Sequence, residues 1–83
     1  MANTSPPKWE TLKDEGNALF AQGSKFIPLP HFWLILSAAA FAKYSEAIAL
    51  APENAVLYSN RAAALMKMGK LDAAQNDATR FLL

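Results

Sequence analysis

The sequence predicts an all-α chain made of antiparallel helix–turn–helix pairs. Three observations support this class. Residues of the same kind recur along the 83-residue chain at fixed distances, apolar residues recur every three or four positions within each segment, and glycine or proline separates one segment from the next. Each segment is therefore expected to be an amphipathic helix that buries its apolar face against its neighbour.

The recurrence has two different periods. Five positions recur 46 residues later; they are Leu12, Gly16, Leu19, Phe20 and Gly23, matched by Tyr58, Ala62, Leu65, Met66 and Gly69. Three others recur after 34 residues; they are Ala40, Tyr44 and Ala47, matched by Ala74, Ala78 and Phe81. A period of 34 is typical of stacked helical hairpins, most of which bind other molecules. The excess of 12 residues must lie between Gly23 and Ala40.

Start and stop signals place four helices along the chain. The first is expected over about 8–22, with Ser5 as N-cap and Gly23 as the stop, and the third over about 55–68, capped by Asn54. The second and fourth are expected over about 31–50 and 72–82. Small residues are expected where paired helices approach closely; they are Gly16, Ala40, Ala62 and Ala74.

These residues resemble the tetratricopeptide repeat, whose pattern has a small residue in the first helix, glycine at the turn, and alanine and an aromatic residue in the second helix. The first repeat supplies Leu12, Gly16, Leu19, Phe20, Gly23, Ala40, Tyr44, Ala47 and Pro52. The second supplies Tyr58, Ala62, Leu65, Gly69, Leu71 and Ala74, whereas Phe81 departs from the small residue of the pattern. The resemblance covers nearly the whole chain outside the insert and the first few residues.

The resemblance predicts an N-terminal tail at 1–7 and a tetratricopeptide-repeat solenoid fragment of about two repeats at 8–83. The first repeat spans about 9–54 and is interrupted by the 12-residue insert within 24–39; the second spans about 55–83 and is incomplete. Because such solenoids generally need three repeats and a polar capping helix, the sequence is expected to be the amino-terminal part of a longer array or a truncated product of one.

The insert lies in the most apolar part of the chain, since residues 26–42 contain no charged side chain. Pro28 and Pro30 predict a loop over 24–30, followed by one lengthened helix. The first turns of that helix are apolar on every side, which predicts an uncovered surface and possible self-association. That surface would be formed by Phe32, Trp33, Ile35 and Leu36.

Three interpretations of the insert remain open. A membrane anchor is disfavoured because the apolar run is 17 residues long, below the ~20 that span a bilayer. A docking or dimerisation element is the second interpretation. Translated non-coding sequence is the favoured one, because removing 12 residues restores the ideal period without removing any residue of the repeat pattern.

Composition excludes several classes of function. The net charge of +1 argues against a dedicated nucleic-acid binder, and the absence of cysteine excludes disulfides and thiolate metal sites. His31 has no acidic or cysteine neighbour in sequence, and the chain shows no nucleophile–base pair or phosphate-binding loop. We therefore expect no catalysis, no cofactor and no metal. The first eight residues lack the apolar core of a secretory signal, which predicts a cytoplasmic or nuclear protein.

Three polar residues are candidates for ligand binding. Lys13 and Asn17 are four residues apart, so they share a face of the first helix that lies away from its apolar stripe. Asn60 is expected on the exposed side of the third helix. One lysine and two amides can bind a carboxylate, although side chains of this kind are more often solvated surface residues.

The local sequences LKDEGNALF and LYSNRAAA resemble the opening repeats of co-chaperone-type tetratricopeptide domains. The resemblance implies that Lys13, Asn17 and Asn60 are part of a carboxylate clamp for the C-terminal Glu-Glu-Val-Asp tail of cytosolic heat-shock chaperones. The other basic residues of that clamp belong to a third repeat, so this chain alone is expected to bind the tail weakly or not at all.

The leading functional prediction is a non-catalytic adaptor that binds a peptide or a C-terminal carboxylate of a protein partner. One alternative is a membrane-associated interaction protein anchored through residues 26–42. Another is a fragment of a larger tetratricopeptide-repeat protein, with nothing in these residues to indicate what else that protein would contain.

Overall fold

The fold is described by a computed structural model, which covers residues 5–24 and 31–82. It contains four helices: α1 (Lys8–Gly23), α2 (Phe32–Leu50), α3 (Ala55–Lys67) and α4 (Leu71–Leu82). Each helix begins and ends within one residue of its predicted bounds, and the described residues form no strand. The all-α class is therefore confirmed. Residues 25–30, where the sequence predicts most of the loop, lie outside the described ranges.

The N-terminus of α1 corrects one detail of the prediction. Pro7, and not Ser5, is the N-cap residue. Its carbonyl oxygen accepts hydrogen bonds from the backbone N–H groups of Glu10 and Thr11, at 3.0 and 3.3 Å. Proline is tolerated at this position because the N–H of an N-cap residue is not used by the helix.

The two glycines that were expected to end helices do so in different ways. Gly23 is the last residue of α1 and is buried against α2, where an added Cβ would lie 3.2 Å from the Cβ of Leu36. Gly69 has a φ of +77°, and its N–H donates to the carbonyl of Met66 while the N–H of Lys70 donates to that of Leu65. This is a Schellman motif, which requires the left-handed conformation that glycine adopts without strain. Gly23 instead permits the close approach of two helices.

The start of α3 is as predicted. The side-chain oxygen of Asn54 accepts a hydrogen bond from the backbone N–H two residues later, at 3.1 Å. This bond satisfies one of the donors that a helix N-terminus leaves unpaired. Asn54 therefore fixes where the chain turns from α2 into α3.

The core lies between consecutive helices, with α2 packed on both α1 and α3. One buried cluster joins all three of these helices and consists of Leu12, Ala47, Ile48, Leu57 and Tyr58. Two smaller clusters contain Ala40, Tyr44 and Ala64, and Ala62, Leu65 and Ala74. The four small residues expected at close helix contacts are all buried, which confirms that prediction.

An ion pair attaches α4 to α3. The Nε and Nη2 groups of Arg61 donate to the two carboxylate oxygens of Asp77, at 2.7 and 2.8 Å, and Asp77 is only 5% exposed. The guanidinium also lies close to the rings of Phe41 and Tyr58, 5.7 and 5.6 Å from their centroids. Its pKa is raised chiefly by the hydrogen bond to Asp77. Bidentate pairing of this kind fixes orientation as well as charge.

The lengthened helix is continuous from Phe32 to Leu50, as predicted. Its uncovered surface is smaller than expected, because Trp33 and Ile35 are exposed whereas Phe32 and Leu36 are half-buried. The difference arises because the first turns of α2 pack beside Gly23 at the end of α1. The insert thus contributes one exposed patch and one packed face.

Candidate functional site

Two of the three predicted site residues, Asn17 and Asn60, lie at the line of contact between α1 and α3, which we call the α1–α3 seam. Asn17 and Asn60 meet there: the Nδ2 of Asn60 donates to the Oδ1 of Asn17 at 3.2 Å. A second contact, between Lys67 and Ser24 at 2.9 Å, joins the same two helices. Both pairs are separated by 43 residues, so α1 and α3 run parallel along the seam.

Lys13 precedes Asn17 by one helical turn and makes other contacts. Its Nζ lies 5.8 Å from the centroid of the Trp9 ring and 3.9 Å from a carboxylate oxygen of Asp14. The side chain is 25% exposed, whereas that of Asp14 is largely in solvent. Exposed ion pairs and cation–π contacts are each worth about 1 kcal/mol or less, so an anionic ligand could compete for this ammonium group.

Sequence reasoning missed the residue beneath the amide pair. The hydroxyl of Tyr44, from α2, donates to the Oδ1 of Asn17 at 2.6 Å. Tyr44 is 2% exposed, and burial raises the pKa of its phenol to about 12. The repeat pattern identifies Tyr44 only as a packing residue, because nothing in the sequence places its hydroxyl near Asn17.

Gly16 makes room for this tyrosine. A Cβ added at Gly16 would lie 2.5 Å from Cε1 of Tyr44, closer than real Cβ contacts occur. The ring therefore lies directly on the backbone of α1, one residue before Asn17. This close approach explains the glycine in the middle of a helix, where it costs about 1 kcal/mol relative to alanine.

Lys67 is a second cation on the seam that the sequence did not single out. Its Nζ lies 5.5 Å from the centroid of the Phe20 ring and donates a hydrogen bond to the Ser24 hydroxyl oxygen. Lys67 follows Asn60 by seven residues, a spacing that places two residues on the same face of a helix. That spacing could have identified it once α3 was taken as a ligand-facing helix.

The described residues offer no cluster of three or more His, Cys, Asp or Glu side chains that could hold a metal ion. Within the same residues, one helix is long and apolar enough to cross a membrane, namely α2, with a mean hydropathy of 1.3. A third of its most apolar window (33%) is buried inside the fold, and α2 contributes to two of the three core clusters.

A comparison with protein-family models identifies the family of the chain. The family model described as "Tetratricopeptide repeat" matches residues 43–76, from the middle of α2 through α3 into α4. The chain is a tetratricopeptide-repeat protein. Its four helices correspond to about two repeats, and its predicted resemblance to co-chaperone-type domains is confirmed by the relatives that it matches.

Three relatives illustrate the resemblance. Stress-induced-phosphoprotein 1 of Caenorhabditis elegans is 34% identical over 93% of this chain and 20% of its own length. Hsp70-Hsp90 organizing protein 3 of Arabidopsis thaliana is 35% identical over 83% of this chain and 10% of its own length. WD and tetratricopeptide repeats protein 1 of Mus musculus is 40% identical over 90% and 9%. The chain spans between 2% and 20% of the length of the curated relatives that it matches.

No solved structure matches the chain. Tetratricopeptide repeats form protein-interaction surfaces by stacking helical hairpins. This tetratricopeptide-repeat chain therefore carries a protein-interaction module.

Proposed function

We propose that this chain binds the C-terminal carboxylate of a partner protein along the α1–α3 seam, through Lys13, Asn17 and Asn60. The partner that best fits is a cytosolic heat-shock chaperone with an acidic tail ending in Glu-Glu-Val-Asp. Relatives named as Hsp70-Hsp90 organizing proteins support this choice of partner. On the same grounds we propose that the protein acts in the cytoplasm or nucleus, without catalysis of its own.

The observation that carries the proposal is the contact between Asn17 and Asn60. The Oδ1 of Asn17 accepts two hydrogen bonds, from Tyr44 and from Asn60, which uses both of its lone pairs. Within residues 5–24 and 31–82, no group accepts from the Nδ2 of Asn17, so two N–H donors remain available, and Asn60 retains one more. Three amide donors, with a lysine one helical turn before Asn17, are complementary to a carboxylate.

The test is a titration of the full chain with a peptide ending in Glu-Glu-Val-Asp, followed by NMR chemical shifts so that millimolar affinity is measurable. The same peptide with an amidated C-terminus is the ligand control. We expect shifts at Asn17 and Asn60 with the free acid, and much weaker binding of the amide. Equal binding of the two peptides would contradict a carboxylate site.

Substitution of Lys13 tests the charged part of the site. Lys13→Ala should weaken binding of the acid peptide by ~1–3 kcal/mol, the range for hydrogen bonds to charged groups, which is roughly five- to 150-fold. Lys8→Ala is the matched control, because Lys8 is an exposed lysine of the same helix. It lines a different groove, between α1 and α2, together with Glu15 and Lys43. A similar loss in both variants would mean that only net charge matters.

A second candidate function, a membrane anchor formed by residues 26–42, draws support from the length and hydropathy of α2. The buried positions of Ala40, Tyr44 and Ala47 oppose it, since α2 would have to leave the core to enter a bilayer. Co-sedimentation of the chain with lipid vesicles at physiological salt separates the two proposals. Only an anchor predicts binding that disappears when residues 27–38 are deleted.

A further inference from the structure

We propose that Tyr44 is a positioning residue for the carboxylate site: its buried hydroxyl holds the side-chain amide of Asn17 in the orientation that leaves both Nδ2 hydrogens for the ligand. The bearing of this arrangement on binding rests on the function proposed above. The orientation itself does not, and it can be tested without any ligand.

The side-chain amide of Asn17 could lie in two orientations. In the observed orientation, Oδ1 faces Tyr44 and Asn60 and accepts from both, at 2.6 and 3.2 Å. Rotation of the amide by half a turn would place Nδ2 there instead and turn Oδ1 toward the ligand. A ligand carboxylate would then meet an acceptor in place of two donors, which is repulsive.

The Tyr44 hydroxyl selects between these orientations. Its side chain is buried, and within the described residues the Oδ1 of Asn17 is the acceptor that its proton reaches. In the rotated amide, Nδ2 could donate to the phenol oxygen, but the phenol proton would have no acceptor. A buried donor left without a partner costs the full desolvation of that group, which is more than the bond itself contributes. Burial also raises the pKa of Tyr44 to about 12, so the proton remains on the oxygen at neutral pH.

Asn60 then follows Asn17. Because the Oδ1 of Asn17 is the acceptor, Asn60 presents its Nδ2 to it and not its Oδ1. One hydroxyl on α2 thus sets the orientation of two amides on α1 and α3. Gly16 is also required for this arrangement, since any side chain there would displace the Tyr44 ring.

The first experiment uses the ligand-free chain. The ¹³Cγ resonance of Asn17 moves downfield as its oxygen accepts hydrogen bonds, so Tyr44→Phe should shift it upfield, while the ¹³Cγ of the exposed Asn76 stays in place. Tyr58→Phe is the matched control, because it removes a buried tyrosine hydroxyl that donates to the carbonyl of Pro52, at 2.8 Å. An Asn17 resonance that is unchanged in Tyr44→Phe would overturn the inference.

The second experiment measures the affinity for the acid-terminated Glu-Glu-Val-Asp peptide. Tyr44→Phe should weaken binding about three- to tenfold, the fold-change that corresponds to one neutral hydrogen bond, and Tyr58→Phe should leave it within twofold. A moved ¹³Cγ resonance with unchanged affinity would show that the orientation does not serve binding. If the wild type fails to bind even at millimolar peptide, the proposed function fails for this two-repeat chain, and the ligand-free experiment still decides the orientation.

A second variant covers the case in which Tyr44→Phe does not fold. Asn17→Asp keeps two acceptor oxygens for Tyr44 and Asn60 but removes both donors. The folded state should persist, and binding of the acid peptide should be lost. Unfolding of Asn17→Asp would overturn the inference, because a side chain that only accepts from Tyr44 and Asn60 should be replaceable by a carboxylate.

Discussion

The two halves of α2 share one helical rod but bury different kinds of residue. In residues 40–50 the buried side chains are apolar or fully bonded: Ala40, Ala47 and Ile48 pack in the core, and the hydroxyl of Tyr44 is bonded to Asn17. In residues 32–39 the pattern is inverted. Trp33 and Ile35 are 43% and 63% exposed, whereas the fully buried Ser37 has no hydrogen-bond partner for its Oγ among the described residues.

This contrast shows that the residues that form a helix are not enough to pack it against its neighbours. Both halves have enough helix-forming residues to form one continuous α-helix, so the backbone shows no break between them. Only the second half belongs to the 34-residue period and presents side chains that match the neighbouring helices. The first half fits against α1 chiefly because Gly23 leaves room for it. Four predictions test this contrast, beginning with the largest expected effect.

Removal of one aromatic side chain from each half should give very different losses. Tyr44→Ala should destabilise the fold by ~3–5 kcal/mol, because it leaves a cavity in the core and removes one of the two hydrogen bonds to the Asn17 oxygen. Trp33→Ala should cost about 1 kcal/mol or less, since much of that ring already faces solvent. Urea denaturation followed by circular dichroism measures both. Equal losses would show that the two halves are packed alike.

Substitution of the two glycines of α1 that face α2 should also cost more stability beside the second half of α2 than beside the first. Gly16→Ala should destabilise by ~1–3 kcal/mol, because its Cβ would be 2.5 Å from the buried Tyr44 ring. At Gly23 the nearest atom would be the Cβ of Leu36, 3.2 Å away, a milder contact that requires α2 to move by a few tenths of an ångström. Gly23→Ala should therefore be close to neutral, as the better helix propensity of alanine offsets that contact. Denaturant midpoints compare the pair, and a larger loss at Gly23 would reverse the contrast.

The buried serine should be replaceable with a gain. Ser37→Ala should stabilise the chain by about 1 kcal/mol, because it removes a buried hydroxyl that lacks a partner and introduces a better helix former. Ser45→Ala in the other half is the control, with the same change in propensity but with loss of a hydrogen bond from Arg61 at 3.3 Å. Thermal unfolding should rank Ser37→Ala above the wild type and Ser45→Ala below Ser37→Ala. A loss of stability in Ser37→Ala would mean that this hydroxyl is bonded after all.

Deletion of residues 27–38 should have the smallest effect on the fold. It restores the ideal period, so we expect a chain that is at least as helical by circular dichroism. It also removes the exposed Trp33 and Ile35, so sedimentation should show less self-association than in the wild type. If the deletion melts the fold while the intact chain is a well-behaved monomer, the insert is an integral part of the structure.

Much of the fold could be predicted because its signals are local. Helix bounds follow from residues such as Asn54 and Gly69, whose side chain or conformational freedom acts within a few positions. The choice of Gly16, Ala40 and Ala62 for close packing followed from periodicity alone. Ser5 was wrongly taken as the N-cap of α1, because several residues near Pro7 could begin that helix and the choice between them depends on local geometry.

The sequence by itself therefore determined the class, the four helices and the presence of an apolar insert. The tertiary structure decided which parts of the insert are covered, because burial of Leu36 depends on its position beside Gly23. It also decided how the candidate site is built. Lys13, Asn17 and Asn60 could be selected by helical spacing and family resemblance, but Tyr44 and Lys67 reach the same seam from other positions in the chain. A hydrogen bond between residues 27 positions apart exists only after α2 has packed on α1, so no local pattern encodes it.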